Sequence, residues 1–120
     1  MKYVLMIYSS PASWNALSQQ DRDRVGREHA ALGEELRESG EWVGGNALAD
    51  PSRSVAVRVR GDVVTATDGP FAEVKEHIAG YYVVECETLD RAVEIAAKMP
   101  DSKLCHVEVR PVMRPGGLEM

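Results

Sequence analysis

Residues 67–87 read TDGPFAEVKEHIAGYYVVECE, and this stretch decides the fold. It opens with a turn signal at Asp68-Gly69-Pro70 and ends in an apolar run from Tyr81 to Cys86. A short run with apolar residues at successive positions is typical of a strand that is buried on both faces. The segment between them, Ala72 to His77, fits either an extension of this strand or a helical turn. We therefore expect polar loop residues beside a buried strand, where they can form a functional site.

The residues before this stretch predict a βα unit followed by a hairpin. Tyr3 to Tyr8 is apolar at nearly every position and predicts another buried strand. Trp14 lies in the loop after it, where we expect this side chain at a core edge or a pocket mouth. A helix is predicted from its cap at Ser18 to Gly40, which stops it in the left-handed conformation. The strands that follow are Glu41 to Leu48, with a bulge or close approach at Gly44-Gly45, and the hairpin pair Ser54 to Arg60 and Val63 to Thr67.

The residues after the stretch predict a second helix and a last strand. Thr88 caps a helix over Leu89 to Met99, and Pro100 ends it. Leu104 to Arg110 alternates between apolar and polar side chains, which predicts a strand. The tail from Pro111 to Met120 is expected to be loose. The stripe of the second helix that faces the core is predicted to be Leu89, Ala92, Val93 and Ala96.

The order of elements is β-α-β, an inserted hairpin and β-α-β, which predicts an α+β fold of the ferredoxin-like, split βαβ type. The whole chain, residues 1–120, is expected to form one domain. The first strand and the strand before the second helix are central in such a sheet, and both are apolar on two faces here. Two helices cover only one face of the sheet. We therefore expect a homodimer in which the open sheet faces meet.

Composition excludes several classes of protein. The net charge of −5, with Lys and Arg interleaved among Asp and Glu, argues against nucleic-acid binding. No apolar run is long enough to span a bilayer, and the N-terminal MKYVLMIYSSP lacks the long apolar region of a signal peptide. Cys86 and Cys105 have neither zinc nor CxxC spacing, so we expect reduced thiols and a cytoplasmic protein.

His29 lies on the apolar face of the first helix, in a stripe with Val25, Leu32 and Leu36. A histidine in such a stripe is often a satisfied core residue. A neutral imidazole facing a pocket could instead move a proton near pH 7, as general acid–base catalysis requires. Metal binding is disfavoured because His29, His77 and His106 have no regular spacing, and no cofactor is expected. His106, with Glu108 and Arg110 on the same strand face, is expected in a polar network at the dimer interface.

The motif DGPFAEVKE, followed by GYYVVE, LDRAVEIA, a proline and VEVRPV, resembles the DGPF family of the YCII-related superfamily. This resemblance covers nearly the whole chain and implies a ferredoxin-like protomer in a dimeric α+β barrel. Some members occur beside or fused to extracytoplasmic-function sigma factors. A related YCII enzyme removes chloride from a chlorinated hydroquinone.

The resemblance also implies a His–Asp pair that acts in acid–base chemistry. His29 matches the family histidine, whereas the position of the family aspartate, before Pro100, is occupied by Met99. Asp68 in the DGPF turn is the expected replacement, although aspartate is also common in turns for structural reasons. We therefore predict His29 and Asp68 as the catalytic pair.

Four further residues are predicted to bind substrate, and two functions remain open. The first function is a small-molecule lyase or isomerase with His29 as acid and base in a pocket between sheet and helices. The second is a non-catalytic ligand-binding or regulatory module, acting with a sigma factor by family analogy. Tyr81 is an alternative to Tyr82 because the strand phase is open, and a solvated charge run is the alternative for the acidic and basic residues after the turn. The predicted substrate-binding residues are Tyr82, Glu73, Lys75 and Trp14.

Overall fold

The computed structural model of the chain describes residues 1–69 and 75–117. Part of the ambiguous segment, Ala72 to Val74, lies outside the described residues, and His77 begins a strand. The strands are β1 (Lys2–Ser9), β2 (Trp42–Ala47), β3 (Val55–Arg60), β4 (Val63–Asp68), β5 (His77–Glu85) and β6 (His106–Pro111). The helices are α1 (Pro11–Asn15), α2 (Gln19–Ser39), α3 (Leu89–Lys98) and α4 (Asp101–Leu104), and a 3-10 turn spans Pro51–Arg53.

Four strands form an antiparallel sheet in the order β2-β5-β1-β6, and β3 and β4 form a separate two-stranded hairpin. Strands β1 and β5 are central, as their apolar sequences predict. The topology confirms the predicted ferredoxin-like α+β fold with an inserted hairpin. No helix in the described part of the chain is long and apolar enough to cross a membrane.

The ends of α2 confirm the signals in the sequence. The Ser18 side chain accepts a hydrogen bond from the backbone N–H of Asp21, and Gly40 ends the helix with a φ of 80°. The prediction of a loop around Trp14 is wrong, because these residues form a short helix, α1. Its cap is Ser10, which accepts a hydrogen bond from the backbone N–H of Ser13.

Two predictions after Thr88 need correction. The buried residues of α3 are Ala92, Ile95 and Ala96, whereas Leu89 and Val93 are each 50% exposed. The buried stripe consists of Ala92, Ile95, Ala96 and Met99, which follow i, i+3, i+4 and i+7 spacing. It buries larger side chains than the predicted stripe because it contains Ile95 and Met99. The last strand also starts later than expected, because residues 101–104 form α4 and β6 begins at His106.

The core lies between the helices and one face of the sheet. Leu5 of β1, Val84 of β5, Leu36 of α2 and Ile95 of α3 are each fully buried there. On the opposite face of the sheet no helix formed by residues 1–69 and 75–117 packs, and alternate residues of β1 and β5 are only half-buried. The fold therefore has one completed face and one open face.

An ion pair joins the start of β2 to α3. Arg91 donates to both carboxylate oxygens of Glu41, from Nε at 2.8 Å and from Nη2 at 2.7 Å. The Glu41 side chain is 15% exposed. The hydrogen bonds from Arg91 lower the pKa of Glu41 from 4.5 to about 2. Bidentate pairs of this kind, shielded from water, contribute more to stability than ordinary surface ion pairs.

Acidification is expected to weaken the fold through Glu41. Because the folded-state pKa lies below the unfolded value, the stabilisation is complete above about pH 4.5 and is lost as the pH falls towards 2. The shift corresponds to at most about 3 kcal/mol. In urea unfolding at several pH values, Glu41→Gln should remove this part of the pH dependence.

The control variant is Glu94→Gln, which removes a second, 64% exposed partner of Arg91. It should change the free energy of unfolding by less than about 0.5 kcal/mol. Parallel pH profiles for wild type and Glu41→Gln would contradict the assignment.

Candidate functional site

A cavity of about 650 Å³ lies between α2, α1 and the sheet. Its wall combines aromatic and aliphatic side chains with a few polar groups, as is usual for small-molecule sites. The polar or charged side chains in its lining belong to Ser9, Ser10, His29, Arg37, Asn46, His77, Tyr82 and Asp101.

His29 is held in this cavity through both ring nitrogens. Its Nε2 lies 2.5 Å from Oδ2 of Asp101, and its Nδ1 lies 2.5 Å from the hydroxyl oxygen of Tyr82. The side chains of His29 and Asp101 are 24% and 15% exposed. The three residues come from α2, β5 and α4, so the tertiary fold assembles them.

The hydrogen-bond partners assign the tautomer of the neutral ring. An ionised carboxylate only accepts, so the Nε2–H of His29 donates to Asp101. The Nδ1 atom then accepts from the Tyr82 hydroxyl. Burial, with a further contribution from the Asp101 carboxylate, raises the pKa of Tyr82 to about 12. Tyr82 is therefore a protonated donor at neutral pH, and the Nδ1 lone pair of His29 accepts from its hydroxyl.

An aromatic contact with Trp42 fixes the position of Tyr82, and a cation–π contact holds Trp42 in turn. The rings of Tyr82 and Trp42 meet edge to face with centroids 4.9 Å apart, and the Arg37 guanidinium lies 4.9 Å from the Trp42 ring centroid. A Cβ atom at Gly45 would lie 2.8 Å from the Trp42 ring and 3.2 Å from the Tyr82 ring. The strand also shifts register between Trp42 and Gly44, so the predicted bulge and close approach are both present.

Asp101 reaches His29 because the chain turns sharply after α3. Met99 is 1% exposed and anchors this turn in the core. The backbone N–H and the hydroxyl of Ser102 both donate to the Met99 carbonyl, which starts α4 and places Asp101 at its first position. Asp101 is not among the site residues predicted from the sequence. The available signal was a carboxylate directly after Pro100, two positions beyond the place that the resemblance implies.

Trp14 lies at the cavity wall, as its position after β1 predicts, and is 39% exposed. Arg22 of α2 lies 5.2 Å from the Trp14 ring centroid and donates from Nη2 to the Trp14 carbonyl oxygen at 3.2 Å. These contacts dock α1 on α2. Trp14 is therefore held at the rim, where it can contact a bound molecule.

The other predicted site residues lie elsewhere or outside the described residues. Asp68 is the exposed last residue of β4 and pairs with Val55 in the hairpin. It is absent from the cavity lining, and the His29 ring contacts Asp101 in place of the predicted Asp68 partner. Lys75 is exposed and also outside that lining, whereas Glu73 falls outside the described residues. Of the two tyrosines, Tyr82 faces the cavity, and the Tyr81 hydroxyl accepts a hydrogen bond from Nδ2 of Asn46 on the edge strand.

The YCII-related domain model matches residues 1–115 of the chain. The chain belongs to the YCII-related family. An uncharacterised protein of Rhizobium meliloti (strain 1021) is similar to this YCII domain, with 29% identity over 122 residues and 98% of each chain covered. The family is shown by the sequence match, whereas the chemistry depends on the geometry of the site.

The YCII site of this chain has the parts that acid–base chemistry needs. A histidine is oriented by a carboxylate, a tyrosine hydroxyl lies on the second ring nitrogen, and a cavity adjoins both. Proton transfer is the reaction type that this arrangement can perform.

Proposed function

We propose that this protein is a small-molecule lyase or isomerase in which His29 is the general acid and base. The observation that carries the proposal is the pairing of His29 with Asp101 and Tyr82 against a cavity of about 650 Å³. A histidine that only stabilised the core would be surrounded by packed side chains. His29 instead lies at the wall of a space large enough for a small organic molecule.

In this mechanism Tyr82 passes protons between the substrate and His29. A substrate proton is taken up by the Tyr82 oxygen while the Tyr82 proton moves to Nδ1 of His29. The two transfers occur together, because a phenolate with a pKa of about 12 does not accumulate at neutral pH. Asp101 stabilises the imidazolium that forms. The reverse sequence returns the proton to another carbon of the substrate, which completes an isomerisation, or to a leaving group whose bond to carbon breaks at the same time, which completes an elimination and releases that group.

The lining also indicates the class of substrate. Arg37 provides a guanidinium at the cavity wall, and Trp14, Trp42 and Ile7 provide apolar surface. Guanidinium groups bind carboxylates through two parallel hydrogen bonds. A small organic acid with an apolar or cyclic body matches this combination, and a carbonyl beside the reacting carbon would make its C–H acidic enough for the transfer.

A ligand-binding or regulatory module is the second proposed function. It is favoured by one observation: the lone pair of His29 Nδ1 is occupied by the Tyr82 hydroxyl, not directed at the cavity. A pocket of this kind could bind the same small acids without turning them over. By family analogy such a module would act with a sigma factor, and for either function we propose a cytoplasmic location.

Proton exchange distinguishes the two functions without knowledge of the complete reaction. Wild-type protein is incubated in D₂O with a panel of small keto acids and unsaturated acids, and loss of the C–H signals is followed by ¹H NMR. Enzyme-catalysed exchange that disappears in His29→Gln supports the enzyme. Ligands that perturb the Trp14 and Tyr82 signals but show no exchange favour the binding module.

A further inference from the structure

A second group of reactive side chains lies at the junction of α4 and β6, away from the His29 cavity. Its members are Glu76, directly before β5, and the neighbouring residues Cys105 and His106. Their donor atoms all lie within 4.8 Å of one another. Strand β1 lies between β5 and β6 in the sheet and pairs with both, which brings these distant parts of the sequence to one end of it.

The distances within this group match a metal-binding arrangement. Oε2 of Glu76 lies 3.5 Å from Nδ1 of His106, and Sγ of Cys105 lies 3.8 Å from the same nitrogen. Zinc bonds of roughly 2.0–2.3 Å at tetrahedral angles would separate such donors by about 3.3–3.6 Å. Both distances to Nδ1 of His106 therefore lie within a few tenths of an ångström of this range, and the third pair, Glu76 and Cys105, lies within 4.8 Å.

The local backbone explains why two adjacent residues can point to one place. Side chains alternate between faces in an extended strand, so Cys105 and His106 would normally point in opposite directions. Cys105 instead has φ −145° and ψ −100°, outside the extended region, and its N–H donates to the Asp101 carbonyl at the end of α4. The chain enters β6 only after this residue.

His106 is oriented before any ion binds. Its ring stacks on Tyr8 of β1, with centroids 4.4 Å apart and an angle of 12° between the planes. Tyr8 is held in turn by its hydroxyl, which donates to Oε2 of Glu108 at 3.1 Å. Metal-binding histidines are commonly positioned by surrounding residues in this way, which lowers the cost of ordering the ring.

We propose that Glu76, Cys105 and His106 bind a divalent transition metal, with Zn²⁺ as the best match. Thiolate, imidazole and carboxylate donors are the ligands that zinc uses in proteins, and three of them leave the fourth tetrahedral position for water. The Cys105 thiol releases its proton to solvent when the metal binds. Glu76 and His106 are about half exposed in the single chain, with side-chain values of 51% and 49%.

The irregular spacing of the three histidines could not reveal this site. Only one histidine belongs to the proposed donor set, and the carboxylate comes from the opposite side of the intervening β1 strand. The site is independent of the acid–base function proposed for His29, because none of its three donors lines that cavity.

Cobalt titration tests the site directly. Co²⁺ replaces Zn²⁺ in tetrahedral sites and gives a thiolate-to-cobalt absorption band in the near ultraviolet together with visible bands. The reduced, metal-free, full-length protein should develop these bands with a stoichiometry of one ion per chain, and Zn²⁺ should abolish them. Cys105→Ser should lose the thiolate band, and Glu76→Gln and His106→Asn should weaken Co²⁺ binding by at least about tenfold.

Two matched variants control for the other thiol and for a neighbouring histidine. Cys86→Ala removes the buried cysteine, and His77→Asn removes the histidine next to Glu76; both should bind Co²⁺ as the wild type does. The proposal is overturned if wild-type protein gives no thiolate band at equimolar Co²⁺. It is equally overturned if the band survives in Cys105→Ser or disappears in Cys86→Ala.

Discussion

His29→Gln is expected to lower the rate of proton exchange on a responsive substrate by roughly 10²- to 10⁴-fold, the usual contribution of a general acid–base residue. Glutamine retains hydrogen-bonding groups and a similar length, but it does not take up a proton at neutral pH. The fold should be retained, because His29 lies at the cavity wall and is partly exposed. NMR exchange rates and thermal unfolding of both proteins provide the measurement.

Two aspartate variants identify the carboxylate that acts with His29. Asp101→Asn should lower the exchange rate by a similar order, because an amide can hold the imidazole in the wrong tautomer and does not stabilise its charged form. Asp68→Asn is the matched control, with an exposed carboxylate on β4 outside the cavity lining. Its exchange rate should stay within about twofold of wild type. A large loss in Asp68→Asn with little change in Asp101→Asn would restore the pairing predicted from the sequence and contradict the one argued from the structure.

The fold was predictable because its signals are local. Capping residues at Ser18 and Thr88, the glycine after α2 and the alternation of the hairpin strands each report on a few neighbouring positions. Two strands with apolar residues on both faces then fix which strands are central. The phase of α3 could not be obtained in this way. Its sequence offers two overlapping apolar stripes, and only the packing of Ile95 and Met99 against the sheet selects one.

His29 and Tyr82 of the candidate site could be predicted from the sequence, whereas Asp101 could not, again because sequence signals report only on neighbouring positions. His29 stands out as the one titratable residue in an apolar helical stripe, and Tyr82 follows from the strand that decides the fold. Asp101 depends on how tightly the chain turns after Pro100. That turn is set by contacts of Met99 and Ser102 with the rest of the protein. The sequence therefore led to Asp68 as the predicted partner of His29 and did not reveal Asp101.

The inserted hairpin of β3 and β4 leaves an apolar surface uncovered. The pairing of the strands places Val55, Val57, Val59, Val64 and Ala66 on one of its faces. Val57 is 63% exposed and Val64 is 66% exposed in the single chain. Isolated two-stranded hairpins are marginally stable in water, so such a face normally packs against something.

The shape of the chain and the open sheet point to the same occupant. The radius of gyration is 16.4 Å, whereas a compact chain of this length is expected at roughly 13–14 Å. The sheet face opposite the helices also leaves Val4, Met6, Tyr81 and Val83 only half-buried. We propose that a second copy of the chain covers these surfaces, with the hairpin packing at the interface of a symmetric dimer.

Val57→Asp is expected to dissociate this dimer. Burial of a valine contributes about 1.5–3 kcal/mol, and a two-fold interface loses it twice, so the dissociation constant should rise by roughly 10²- to 10⁴-fold. Thr65→Asp adds the same charge to the opposite face of the hairpin and should leave the dimer intact. Light scattering and sedimentation at micromolar concentration measure the mass of each protein. A monomeric wild type, or equal dissociation by Thr65→Asp, would contradict the proposed interface, because only the valine face of the hairpin is argued to be covered by the second chain.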